Sequence, residues 1–390
     1  MRAHAGDPRT LTVLSVIGTR PEAIKMAPVI KEFGNHRSRV RSVVCVTGQH
    51  REMLDPLLEL FAIRPDYDLN LMQDNQTLCQ LTANLFTSLE AVVEKTKPDW
   101  ILAQGDTTTT FVAAMTAFYH RIAFGHVEAG LRTFDRFRPF PEEVNRRIAD
   151  SVSDLHFAPT ERSRQALLGE GYPDRSILVT GNTVIDALLS VAGHPYDWSI
   201  GPLAGIPRDQ QLVLITAHRR ESFGASLREI CLAVRELAGE FAPRGVHFVY
   251  PVHLNPNVRG TVGEILSGLP NVSLIEPLDY LAMVQLMKRS TIILTDSGGI
   301  QEEAPSLHVP VLVMRDATER PEGVEANVGR LIGTRRALIV AEARRLLYHP
   351  AARAEMGTGR NPYGDGRSAT RIVAAILSAG RIRPHAVDGD

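Results

Sequence analysis

Cysteine is scarce in this chain: Cys45, Cys79 and Cys231 are odd in number, far apart, and form no C-x-x-C pair in 390 residues. A disulfide framework and a cysteine zinc site are therefore not expected, and a reducing compartment fits. No excess charge of either sign exists, since 43 Lys and Arg face 44 Asp and Glu. A nucleic-acid or anionic-membrane surface is thus not expected as a partner, and any anion must be held by a local arrangement of groups. No apolar run approaches 18 residues, and the first ten residues, MRAHAGDPRT, lack the apolar core of a signal peptide. The expectation is a cytoplasmic protein. Short-period repeats are also missing, which excludes solenoids and propellers.

What remains is an ordinary globular balance, 44% hydrophobic and 22% charged, in a chain too long for one core. Two domains are expected. Short apolar, β-branched runs alternate with longer helix-like segments, the pattern of parallel βαβ units. In the first half the runs are Leu11–Gly18, Val40–Thr47, Trp100–Gly105, Ile122–Val127, Leu155–Ala158 and Ile177–Thr180. The second half repeats the pattern at Leu212–Thr216, Val246–Val252, Val272–Ile275, Ile292–Thr295, Val309–Val313 and Leu331–Ile332. A Gly/Pro-containing stretch, Gly193–Arg208, reads as the linker between the halves. The fold class is α/β, with two Rossmann-like doubly wound domains facing a cleft. The boundaries are 1–190 and 191–367, with a C-terminal helix at about 368–382 returning to the first domain.

Doubly wound sheets bind ligands beyond the carboxyl ends of their strands. Polar clusters stand there in this sequence: Gly18-Thr19-Arg20, Thr47-Gly48-Gln49-His50, Gln104-Gly105-Asp106, His126-Val127-Glu128, Thr216-Ala217-His218-Arg219-Arg220 and Asp296-Ser297-Gly298-Gly299. Thr19 and Glu22 have capping-box spacing, with Pro21 in the first helical turn. Arg20 has no part in capping and opposes the helix dipole, so a phosphate partner accounts for it. Ser297-Gly298-Gly299 opens a helix after a strand, where glycines admit an anion close to backbone N–H groups; Ser297 also suits an N-cap. Glu302 and Glu303 follow, placed to accept from ribose hydroxyls or merely to complement the helix dipole.

Asp106, Glu128 and Glu142 are carboxylates at or near strand ends of the first half, Glu142 in the irregular segment Arg138–Glu143. With His126 and His218 nearby they point to acid–base work. His50 and His253 also follow strands, but no pair has metal-ligand spacing, so no metal and no cofactor are expected.

These motifs together resemble the bacterial non-hydrolysing UDP-N-acetylglucosamine 2-epimerase family, from Leu11 to about Arg371. The matching stretches include Gly18–Ala23 with Lys25, Gln49–Leu54, Gly105–Thr110, His126–Thr133, Pro141-Glu142-Glu143 with Asn145-Arg146, Gly181–Asp186, His218–Glu221, Tyr250–Pro256, Thr295–Ala304 and Arg315–Glu322. The resemblance implies a fold like the two-domain B-type glycosyltransferases, a homodimer, and UDP-N-acetylglucosamine as substrate and as a second, activating ligand. It implies that Asp106, Glu128, Glu142 and His218 are catalytic, and that Arg20, Lys25, Ser297, Gly298, Gly299 and Glu303 bind substrate and UDP. It places the activator at Gln49, Arg219 and His253. The activity implied is an isomerase interconverting UDP-N-acetylglucosamine and UDP-N-acetylmannosamine through loss and re-addition of UDP. The alternatives are a hydrolysing epimerase, a glycosyltransferase on the same architecture and a non-catalytic UDP-sugar sensor. The sequence departs from the family pattern at Gln104, at Phe137–Phe140, in the Asp74-Asn75-Gln76 loop and at Asn327.

Overall fold

Leu-Thr-Val-Leu-Ser-Val-Ile at residues 11–17 is apolar on both faces, and six of its seven residues are buried. Such a strand is stable only with helices on both sides, which a parallel sheet supplies. The computed structural model describes residues 10–48, 51–72 and 75–382, excluding the side chains of residues 51–53 and 220. It divides into two α/β units, one running to Ala187 and resuming at Gly364, the other Leu188–Tyr363.

The first unit holds seven strands: β1 (Leu11–Ile17), β2 (Val40–Val46), β3 (Tyr67–Asp68), β4 (Trp100–Gln104), β5 (Ala123–Val127), β6 (Leu155–Ala158) and β7 (Ile177–Val179). All pair in parallel, in the order β3-β2-β1-β4-β5-β6-β7. The second unit holds six: β8 (Gln211–Thr216), β9 (Val246–Pro251), β10 (Val272–Ile275), β11 (Ser290–Thr295), β12 (Val311–Val313) and β13 (Gly329–Leu331). Their order is β10-β9-β8-β11-β12-β13, again parallel. Both are Rossmann-like, doubly wound sheets flanked by helices.

The C-terminal helix Ser368–Ala379 belongs to the first unit, where Ile372, Val373 and Ile376 share a core with Phe33, Trp100 and Leu102. Each such fully buried side chain contributes about 1.5–3 kcal/mol. The helix start is fixed by Asp186, whose carboxylate accepts from the backbone N–H groups of Ser368 (3.2 Å) and Ala369 (2.9 Å). Its end is fixed by the Trp100 indole, which donates to the Gly380 carbonyl at 2.7 Å.

Twelve strands coincide with the apolar runs within two residues at either end. The exception is β3, two residues too short and too polar to show any period. β12 starts at Val311 instead of Val309, because Pro310 has no N–H to give the ladder. Gly193–Arg208 is not where the chain passes between units. That passage falls at Ala187–Leu188, inside the helix Thr183–Ala192, and the Gly/Pro stretch is an irregular segment of the second unit.

Candidate active site

In each sheet two neighbouring strands, β1 with β4 and β8 with β11, mark the point from which the chain winds in opposite directions. Beyond the carboxyl ends at such a switch point lies the usual ligand site of an open α/β sheet. The polar clusters of the sequence stand at these two points.

In the first unit, Glu22 does more than cap its helix. One carboxylate oxygen accepts from Gly18 N (2.7 Å) and Thr19 N (2.5 Å), and the other from the Thr107 hydroxyl (2.5 Å) and the Thr110 hydroxyl (3.3 Å). It is buried, and burial pushes its carboxyl up despite these donors. Glu22 thus ties the loop after β1 to the loop after β4. Arg20 beside it is exposed and forms no ion pair among the described residues.

Glu128 directly follows β5 with a left-handed backbone (φ 67°), a conformation costing a non-glycine residue on the order of 1–3 kcal/mol. Its buried carboxylate receives the Lys25 ammonium at 2.5 Å, the Gln104 amide, and the Asn182 amide at 3.4 Å. Every one of these partners is a donor, and the departure Gln104 is one of them.

Asp106 pairs with Arg146 (2.8 Å), while Asn145 donates to the Asp106 carbonyl at 3.0 Å. Both partners come from the helix Glu142–Ser151, so Glu142 is the first residue of a helix and not part of an irregular segment. The Oε2 atom of Glu142 is buried without a hydrogen-bond partner among the described residues. Glu143 is fully buried and holds the preceding loop through Thr133 N (3.0 Å) and Phe134 N (3.2 Å). Phe134, Phe137 and Phe140 on that loop are exposed.

His126, read from sequence as an acid–base neighbour, is instead fully buried with both ring nitrogens engaged. Nδ1 meets Asp150 at 2.6 Å and Nε2 meets the Gly105 carbonyl at 2.7 Å. With Asp150 held ionised neither partner can donate, so both nitrogens carry hydrogen and the ring is an imidazolium. Burial alone would pull its pKa down, but Asp150 and the Gly105 carbonyl leave it above the usual histidine range. Burial works against the Asp150 carboxylate too, yet His126 and Arg132 hold it below its ordinary value. Arg132 meets Asp150 at 2.8 Å and Glu170 at 2.7 Å.

In the second unit, Asp296 is the organising residue, and sequence reasoning gave it no role. It is fully buried at the end of β11, and its Oδ2 accepts from the backbone N–H groups of His218 and Arg219, each at 2.8 Å. An aspartate directly after an apolar run, with free N–H groups expected after the neighbouring strand, was the available signal. The His218 side chain is 41% exposed, 3.7 Å from Asp296, and stacks on His253 with ring centroids 5.4 Å apart. Burial lowers the His218 pKa, and His253 and Arg219 add to this against Asp296.

Ser297 occupies the N-cap position, but its hydroxyl makes no capping bond. A Cβ on Gly298 would meet the guanidinium groups of Arg219 and Arg320 at 3.4 Å. Two guanidinium groups therefore lie over this glycine. Glu303 accepts from Tyr280 at 2.7 Å, and Glu302 pairs with Arg320 at 2.7 Å. Arg320 and Tyr280 were missed because each lies far in sequence from the turn it serves. Arg219 also faces Glu319 at 3.6 Å. Gln49, His50 and Asp74 lie outside the described residues. Asn327 takes a left-handed backbone (φ 54°), which asparagine tolerates better than most other side chains.

The family described as UDP-N-acetylglucosamine 2-epimerase matches residues 33–377. The chain belongs to this family. It is 52% identical to the UDP-N-acetylglucosamine 2-epimerase of Salmonella typhimurium, over 94% of this chain and 99% of that one. The crystal structure of UDP-GlcNAc 2-epimerase from Neisseria meningitidis bound to UDP-GlcNAc superposes with a TM-score of 0.84, at 49% identity, covering 94% of this chain and all of that one (100%). The glycotransferase of kitacinnamycin, only 14% identical, shares the fold with a TM-score of 0.60 over 94% of this chain and 99% of that one. This chain thus shares its fold with a glycosyltransferase. Among the described residues no helix is long and apolar enough to cross a membrane, and no three metal-ligating side chains come together.

Proposed function

We propose that this epimerase-family chain interconverts UDP-N-acetylglucosamine and UDP-N-acetylmannosamine without net hydrolysis. The C2 hydrogen of the sugar is next to no carbonyl, so its removal alone would leave an unstabilised carbanion. In the proposed reaction the proton passes from C2 to a carboxylate while the C2 electron pair forms the C1=C2 bond. The C1–O bond breaks in the same stage, and UDP leaves with that electron pair. The neutral product is a 2-acetamidoglucal. For return, a UDP oxygen re-forms the bond to C1, and a proton is delivered to C2 from the opposite face.

The reading rests on one observation above all: three carboxylates of the first unit lie in donor-rich or unpartnered settings around a switch point. Asp106, Glu128 and Glu142 are the acid–base groups, with Lys25 holding Glu128. Arg20, Ser297, Gly298, Gly299 and Glu303 hold the nucleotide, and His218 meets the charge on departing UDP. Arg219 and His253 meet a second, activating UDP-N-acetylglucosamine, the role also assigned to Gln49, which lies outside the described residues. The working form is a cytoplasmic homodimer, each subunit built of domains 1–190 with the C-terminal helix and 191–367.

Product analysis by ¹H and ³¹P NMR tests the reading. Signals of two UDP-sugars at equilibrium, with the diphosphate linkage kept, are expected. Free N-acetylmannosamine with stoichiometric UDP would make the chain a hydrolysing epimerase, and unchanged substrate would make it a UDP-sugar sensor.

A further inference from the structure

The buried ring of His126 touches every segment that carries one of the three carboxylates. Its own strand, β5, ends at Val127, and Glu128 is the next residue. Its Nε2 holds the carbonyl of Gly105, the residue before Asp106, whose φ of 81° only glycine adopts readily. Its Nδ1 holds Asp150, on the helix that begins at Glu142. Asp106 is tied to the same helix through Arg146 and Asn145. The distances from ring to partner are 2.6 and 2.7 Å, and no water reaches the ring.

We propose that His126 is a positioning residue for the epimerisation, a doubly donating imidazolium that fixes Asp106, Glu128 and Glu142 in one mutual geometry. This rests on the acid–base reading of those three residues. A neutral ring could serve only one of the two acceptors, releasing either the Gly105 carbonyl or Asp150. Either release frees one carboxylate-bearing segment from the other two. General acid–base catalysis depends on such placement within fractions of an ångström.

The charged groups facing the ring set the sign of its pH dependence. From the helix comes Asp150, from the segment after β5 Arg132 with its partner Glu170, and from β6 His156, which pairs across from His126 in the sheet. His156 Nε2 contacts the Asp150 carbonyl at 2.9 Å and its Nδ1 the Ser176 carbonyl at 3.3 Å, and burial lowers its pKa, which disfavours a second positive charge beside His126. Two carboxylates and one guanidinium therefore surround the imidazolium, which favours its charge.

The test compares His126→Gln, which keeps a donor near the Nε2 position, with Asp150→Asn, which keeps shape and removes the charge. Glu128→Gln serves as the control on the acid–base reading. Circular dichroism and thermal melts first identify the folded variants, Asp150→Asn being the milder change. In a folded variant, kcat should fall about 10–100-fold while the KM for UDP-N-acetylglucosamine changes less than threefold. The alkaline limb of the kcat–pH profile should also move to lower pH in Asp150→Asn, because the imidazolium loses its counter-charge. Unchanged kcat and an unmoved profile in folded Asp150→Asn, with Glu128→Gln strongly impaired, would overturn the positioning role alone. Full turnover in Glu128→Gln would instead remove the acid–base reading on which it stands.

Discussion

The two switch points are built in opposite ways. In the first unit the polar groups interlock: Glu22 takes donors from Gly18, Thr19, Thr107 and Thr110, Glu128 takes Lys25, Gln104 and Asn182, and Asp106 is clamped by the helix that begins at Glu142. In the second unit a single buried aspartate orders the backbone, and the side chains above it stay open to solvent, as His218 does. The difference matches what each end is proposed to do. Proton transfer needs fixed distances and a settled charge on each group, which burial and multiple partners give. A diphosphate is large, charged and mobile, and is held by N–H groups, glycine clearance and guanidinium groups that can adjust to it.

Exchanging function between the two ends should break this comparison most visibly. Glu128→Gln keeps size but cannot take the proton, so turnover should fall by roughly 10²–10⁴ while calorimetric UDP affinity barely changes. Equal loss of UDP affinity would mean that Glu128 holds the nucleotide as well. Next in size are the groups proposed to hold the diphosphate, Arg20 of the first unit and Gly298 of the second. Arg20→Ala should weaken UDP binding by about 1.5–3 kcal/mol, the range of a charge-assisted hydrogen bond. Gly298→Val should weaken it further, because its side chain would press on Arg219 and Arg320. Calorimetric titration with UDP decides, and affinities within twofold of the parent would return both residues to structural roles.

A smaller effect sharpens the electrostatic side. Burial keeps His218 below the usual histidine pKa in the free protein, and an arriving diphosphate would raise it. UDP binding at pH 6.5–7.5 should therefore take up protons, seen as a dependence of the apparent enthalpy on buffer ionisation. Proton release, or none in the parent protein, would separate His218 from the phosphates.

The smallest expected effect is on stability. The His126 pKa is raised in the folded state, so its contribution is complete below the unfolded value of about 6.5 and is lost as pH rises through the folded value. Asp150 is lowered, so its share is present above the ordinary aspartate value and is lost as pH falls through the depressed one. Melting temperature should decline on the alkaline side in the parent and flatten there in His126→Gln.

Much of this architecture was legible because buried parallel strands leave apolar runs, and because polar residues placed after them have few other reasons to be there. β3 was invisible, since Tyr67 and Asp68 carry no pattern of their own. The capping spacing of Thr19 and Glu22 was readable, yet the threonines that complete the Glu22 site lie 85 and 88 residues away. His126 misled for the same reason. A histidine after a strand and near carboxylates has the local look of an acid–base group, and only the fold brings Asp150 and Gly105 to its two nitrogens. Asp296 stood in plain view, but its partners are backbone N–H groups, which no residue letter reports.

The central claim is that the C2–H bond breaks in every productive turnover. Incubation with UDP-N-acetylglucosamine in D₂O, followed at C2 by NMR, tests it most directly. The account predicts deuterium at C2 of the UDP-N-acetylmannosamine formed and, with time, of the recovered substrate. Interconversion of the two UDP-sugars with protium fully retained at C2 would contradict it.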